Sequence, residues 1–140
     1  MIQRYQSKLS GPLLDRIDIH IEVPRVDYDK LISDSRGESS HIIRSRVEAA
    51  RKIQQTRFAQ SPALFANSDM GTREIDTHCK MLEPAKQLLD ISIRKMQLSA
   101  RSYHRVLKLS RTIADLAGSV QIDVPHVAEA IQYRLKSLET

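Results

Sequence analysis

The 140 residues suffice for one domain with a buried core, and 41% hydrophobic content with no tryptophan, 4% aromatics, four glycines and five prolines suits a helix-rich chain better than a sandwich or barrel. Twenty-two Lys and Arg against seventeen Asp and Glu leave a formal charge of +5, a mild bias towards phosphate-bearing or acidic partners. A single cysteine, Cys79, excludes an internal disulfide and argues against a zinc site, no apolar run reaches the roughly 18 residues of a membrane span, and the first ten residues lack the apolar core of a signal peptide.

The chain opens on a basic stretch that leads straight into SGPLLDRIDIHIEVP, as expected of a piece cut from a longer protein. Gly11 and Pro12 start a short turn of helix through Leu13, Leu14 and Asp15. The period then changes to two: Ile17, Ile19, Ile21 and Val23 alternate with Asp18, His20 and Glu22, the pattern of a half-buried strand stopped by Pro24. One strand cannot satisfy its own backbone, so its sheet is expected from other sequence or another molecule. Arg25 to Glu38 reads as a linker with one helical turn near Tyr28 to Ile32.

Ser39 or Ser40 caps a long helix to about Ala59, with Ile43, Val47, Ala50 and Ile53 or Gln54 as a thin apolar stripe. Arg44, Arg46, Arg51, Lys52 and Arg57 decorate the rest, a basic surface that suits nucleic acid, a ring neighbour or plain solvent. Ser61 to Thr72 is irregular, and a short helix follows from Thr72 to about Cys79. The next runs from Glu83 to Met96 with Pro84 in its first turn. Asp123 caps a last helix from Val124 to about Leu138, its inner face carrying Val127, Ala130, Ile131, Arg134 and Leu135.

Ser99 to Gly118 organises the chain, with a capping serine before it and a glycine able to end it in the left-handed conformation. Tyr103, Val106, Leu107, Ser110, Ile113, Ala114 and Ala117 form the packing stripe, while Arg101, Arg105, Lys108, Thr112 and Asp115 share a polar face. Cations near a helix start oppose its dipole, a cost that a bound anion would offset.

Catalytic constellations are missing: the chain has no glycine-rich phosphate loop and no His or Cys pair at ligand spacing. The five histidines are scattered and read as structural or surface residues. Two arginines stand out by position. Arg16 directly precedes the strand and either projects from the domain or pairs with Asp15 or Asp18. Arg101 lies in the first turn of the organising helix, where its side chain and backbone N–H groups converge on a phosphate or where it is simply solvated.

SGPLLDRIDIHIEVP, IIRSRVEAARKIQQTRF and LSARSYHRVLKLSRTIADLAG followed by IDVPHVAEAIQYR resemble the C-terminal part of magnesium-chelatase-related AAA+ ATPases of the ComM (YifB) type. The resemblance implies a mainly α fold: an AAA+ helical lid bundle preceded by one short β-strand left over from the α/β ATPase core. It divides the chain into residues 1–26, the end of the core with the arginine-finger segment; 27–72, the linker and basic helix; and 73–140, the lid with its sensor-2 helix at 99–118. By resemblance Arg16 is the finger that reaches the γ-phosphate bound by a neighbouring subunit. Arg101 is the sensor-2 residue, acting on its own subunit's nucleotide, with Arg105 in reserve. The resemblance further implies ATP and Mg2+ as cofactors of the full-length protein, none bound by the fragment, a hexameric ring in the bacterial cytoplasm, and a DNA helicase or branch-migration motor. Walker A and Walker B would precede Met1, so the fragment alone is expected to be inactive. The alternatives are the motor of a metal-chelatase complex and a stand-alone helical adaptor that binds nucleic acid or protein.

Overall fold

The computed structural model describes residues 16–24 and 37–135. Among them are five α-helices: α1 Ser40–Arg57, α2 Thr72–His78, α3 Glu83–Met96, α4 Ala100–Leu116 and α5 Val124–Leu135, with a 3-10 turn at Asn67–Asp69 between α1 and α2. The mainly helical expectation thus stands. The turns expected at Leu13 to Asp15 and Tyr28 to Ile32 and the helix end beyond residue 135 lie outside the described residues.

Local chemistry explains the boundaries. The Ser99 hydroxyl accepts the Ser102 backbone N–H at 3.1 Å, satisfying one of the free donors of the first turn of α4. At the other end Gly118 takes a φ of 67°, and the Ser119 N–H closes back on the Ala114 carbonyl at 2.8 Å. Helix α3 begins with Pro84 in its first turn but ends on a residue that carries no glycine signal, Gln97, at a left-handed φ of 50°. The Leu98 N–H then returns to the Ile93 carbonyl at 3.2 Å, so the chain leaves α3 and enters α4 within three residues. Asp123 accepts the Val124 N–H at 2.7 Å and donates its own N–H to His126 Nδ1 at 3.0 Å, which sets the start of α5.

Helix α4 is the centre of the molecule: it packs on α5, α1, α2 and the 67–69 turn, while α3 closes against α5. Val106, Leu107, Ile113 and Ala114 of α4 meet Leu89, Val127, Ala130 and Ile131 in one core that also takes in Phe58, Met70 and Ile75. An isolated parallel bridge between Met81 and Ile122 ties the loops before α3 and α5.

Two expectations fail on tertiary grounds, and the strand, whose sheet is expected from other sequence, meets no ladder among the described residues. Residues 17–23 form no strand; their alternating pattern is met by exposure, with Ile21 67% and Val23 83% exposed. A strand is a ladder and needs a partner, and among the described residues the backbone bond of this segment to the rest of the chain runs from the His20 N–H to the Tyr133 carbonyl of α5, at 3.0 Å. On α1 the buried stripe is Ala50 with Gln54, whereas Ile43, Val47 and Ile53 are exposed. Arg57 and Asp115, expected on polar faces, turn inward to each other.

Candidate functional site

The stripe of α4 that follows Arg101 at helical spacing, Arg105, Lys108 and Thr112, forms one wall of an open cleft of about 470 Å³. The opposite side is made by Asp18 and Ile19 from the extended segment and by Ser68 from the 3-10 turn. His104 and Leu109 complete the lining. Three cations therefore face a space lined by one carboxylate, the electrostatic character of an anion site.

The three cations are held differently. Arg101 is exposed and makes no ion pair among the described residues. Arg105 is 28% exposed and ion-paired to Asp18, which is 51% exposed. Its Nε is buried without a partner among the described residues. The Lys108 ammonium donates to the Ser68 carbonyl at 2.9 Å, fastening it to the far wall. Beneath that wall the Asp69 carboxylate accepts the Phe65 and Ala66 N–H groups, both at 2.9 Å, and these bonds, with a smaller contribution from Lys108, hold its pKa below the usual carboxylate value.

A second layer of polar groups, which sequence reading missed, supports this wall from inside. The Asp115 carboxylate is fully buried and accepts Arg57 at 2.5 and 2.7 Å, Asn67 Nδ2 at 2.8 Å and Arg111 Nε at 3.1 Å. Burial alone would raise its pKa, but the hydrogen bonds from Arg57 and Asn67 and the charges of both arginines outweigh this and hold the pKa low. Asn67 is fully used: it accepts Arg57 at 2.8 Å and also donates to the Thr112 hydroxyl at 3.1 Å, so the cluster reaches the cleft floor. Arg111 fastens the loop that follows α4 by donating to the Ser119 and Val120 carbonyls at 2.6 and 2.9 Å. The visible signal for this layer was the i, i+4 spacing of Arg111 and Asp115, which is as common on solvated faces.

Of the sequence-predicted residues, Arg101 and Arg105 meet in the cleft. Arg16 is exposed, outside the lining, two residues from Asp18. Of its two expected partners, Asp18 is engaged by Arg105 and Asp15 lies outside the described residues. Lys108 and Ser68 were missed as site residues; Lys108 was legible one turn beyond Arg105, and Ser68 carried no signal. Among the described residues no three His, Cys, Asp or Glu side chains gather as metal ligands. Cys79 is buried, and that burial pushes its thiol up to about 11, which is the opposite of nucleophile activation.

The family model described as magnesium chelatase, subunit ChlI C-terminal, matches residues 37–134, and that of magnesium chelatase, subunit ChlI, matches residues 1–31. The cleft joins the two matched segments, Asp18 and Ile19 coming from the first and its other lining residues from the second. Among curated proteins the chain is 43% identical over 134 residues to the competence protein ComM of Haemophilus influenzae, covering 95% of this chain and 25% of that protein. It is 37% identical over 133 residues to YifB of Escherichia coli and 36% over 132 to YifB of Salmonella typhimurium, covering 94% of this chain and 25% of the relative in each case. The chain thus spans about a quarter of the length of these relatives.

Proposed function

This chain belongs to the magnesium chelatase subunit ChlI C-terminal family, and on that premise we propose that it is the lid and arginine-finger segment of a ring-forming AAA+ ATPase whose cleft receives the terminal phosphates of ATP. The observation that carries this reading is the convergence of Arg101, Arg105 and Lys108 with the segment bearing Arg16 on one cleft. A space of about 470 Å³ with cations along one wall fits a triphosphate. ATP bound with Mg2+ supplies the transferable phosphoryl group and a further counter-charge; the residues of this chain supply donors and position. Arg101, exposed and unpaired among the described residues, is the group free to meet a phosphate oxygen, and its planar fork suits that contact.

Arg16 lies two residues along the chain from Asp18, about 7 Å at most, and Asp18 lines the cleft. This proximity favours assigning Arg16 and Arg101 to one nucleotide, bound by the neighbouring subunit, rather than dividing them between two. An arginine that meets charge developing on the transferred phosphoryl group acts mainly in the transition state, an effect of about 10³ to 10⁵ in rate. The remodelled substrate is DNA in this reading, which the 43% identity to a competence protein supports. The family description itself points to a metal-insertion motor, the second reading.

Titration of the chain with inorganic triphosphate tests the cleft. Binding that weakens with salt, and about tenfold on Arg101→Ala, is expected. An Arg101→Ala chain that binds as well as the parent refutes the phosphate role and favours an adaptor. In the full-length protein, Arg16→Ala should lower kcat by about 10³ or more with ATP affinity retained. Rings mixed from Arg16→Ala and phosphate-loop-disabled subunits then report whether the defect lies in the neighbour's site. DNA-stimulated turnover separates the helicase from the chelatase motor.

A further inference from the structure

We propose that Asp18 is a positioning residue: by gripping Arg105 it yokes the segment that bears Arg16 to α4, so that Arg16 and Arg101 are presented as one unit. This rests on the phosphate reading above only for what the unit is presented to; the yoke itself rests on contacts. The 16–24 segment has no ladder to hold it, and its alternate side chains Ile17, Ile21 and Val23 are exposed. Its attachments among the described residues include the Asp18–Arg105 ion pair, the His20 N–H to Tyr133 carbonyl bond at 3.0 Å, and Ile19 against the cleft. The ion pair is the attachment nearest to Arg16, and it lands on α4 one turn beyond Arg101.

The two cleft arginines thereby take separate tasks. Arg101 is exposed and unpaired among the described residues, whereas Arg105 already spends its guanidinium on Asp18 and has its Nε buried. A group so committed is a fastener, and its exchange for a ligand oxygen would release the segment it holds. Asp18 also places a negative charge on the cleft wall, where it opposes an entering phosphate. Removing that charge while loosening Arg16 should therefore move turnover and affinity in opposite directions, which a mere loss of fold does not do.

Hydrogen exchange of the His20 amide reads the docking of the segment directly. Asp18→Asn should lower its protection about two- to fivefold, the range of a partly exposed ion pair, with the Val106 to Ala114 amides unchanged. Asp18→Glu should retain most of the protection, and the charge-swapped Asp18→Arg with Arg105→Asp should restore what either single change removes. In the full-length ATPase Asp18→Asn should lower kcat by a similar factor without raising the KM for ATP, and adding Arg105→Ala should cost nothing more. Unchanged His20 protection in Asp18→Asn, or a charge swap no better than the singles, overturns the yoke. A raised KM with unchanged kcat overturns it as well. Should Arg101→Ala prove silent in the same enzyme while Asp18→Asn lowers both protection and kcat, the phosphate assignment of Arg101 falls and the yoke of Arg16 stands.

Discussion

Asp115→Asn is the substitution that weighs most on this fold, because it changes one charge and almost no volume. In the parent, Asp115 Oδ1 accepts Arg57 Nη2 at 2.5 Å and Arg111 Nε at 3.1 Å, and Oδ2 accepts Arg57 Nη1 at 2.7 Å and Asn67 Nδ2 at 2.8 Å. An amide keeps one of those oxygens and turns an NH2 towards two donors at the other. It also leaves the partly buried Arg57 and the buried Arg111 side by side without a counter-charge, and the Ser119 and Val120 carbonyls offset this only for Arg111. Breaking a buried ion pair from one side costs about 3–5 kcal/mol, a large share of the 5–15 kcal/mol typical of a domain. For a chain of this size that is a fall in melting temperature of about 10–20 °C. Urea unfolding followed by circular dichroism measures it, and 0.5 M salt should not restore it, since the pair is shielded from solvent. A loss below about 1 kcal/mol would show that the cluster is solvated in solution and contributes no more than a surface pair.

Stability should also fall as pH drops below about 6.5, because burial, with help from Arg57 and Arg111, lowers the pKa of His78, so the unfolded chain takes the proton first; His78→Gln should flatten that slope in a melting series. Asp115 adds a second acid loss: with its folded pKa depressed, its contribution is complete above about pH 4 and disappears as pH falls through the folded value, so Asp115→Asn should lack that limb. Gln97→Gly should stabilise the chain by about 0.5–1 kcal/mol by relieving the left-handed φ of 50° at the end of α3. Gly118→Ala should cost about 1 kcal/mol, a purely conformational penalty because a Cβ there meets nothing within 4 Å. Cys79 should resist a thiol reagent at pH 8 in the native state and react on unfolding, since its pKa is pushed up to about 11 by burial.

What the sequence determined by itself is what depends on neighbours within a turn. Ser99, Pro84 and Gly118 marked helix ends because capping and left-handed closure involve residues three to five apart, and the 3.6 period of Val106, Leu107, Ile113 and Ala114 named the buried side of α4. The same period aligned Arg101 with Arg105, which is why half of the cleft was legible. Gln97 escaped notice because its left-handed closure belongs to the short connection between α3 and α4 and to no preference of glutamine.

The tertiary structure decided which polar residues go inside. Asp115 and Thr112 share a helix face with Lys108, and nothing within a turn of them says that one is buried and the others are half-exposed. Its partner Arg57 is 58 positions away, and only their meeting across α1 and α4 makes burial affordable for either charge. Asp18 likewise gains its role from Arg105, 87 positions on. The strand of Ile17 to Val23 follows the same logic in reverse. Alternation declares a strand's two faces, but a strand exists only where another backbone supplies its hydrogen bonds, and the described chain offers residue 20 a single helical carbonyl, that of Tyr133.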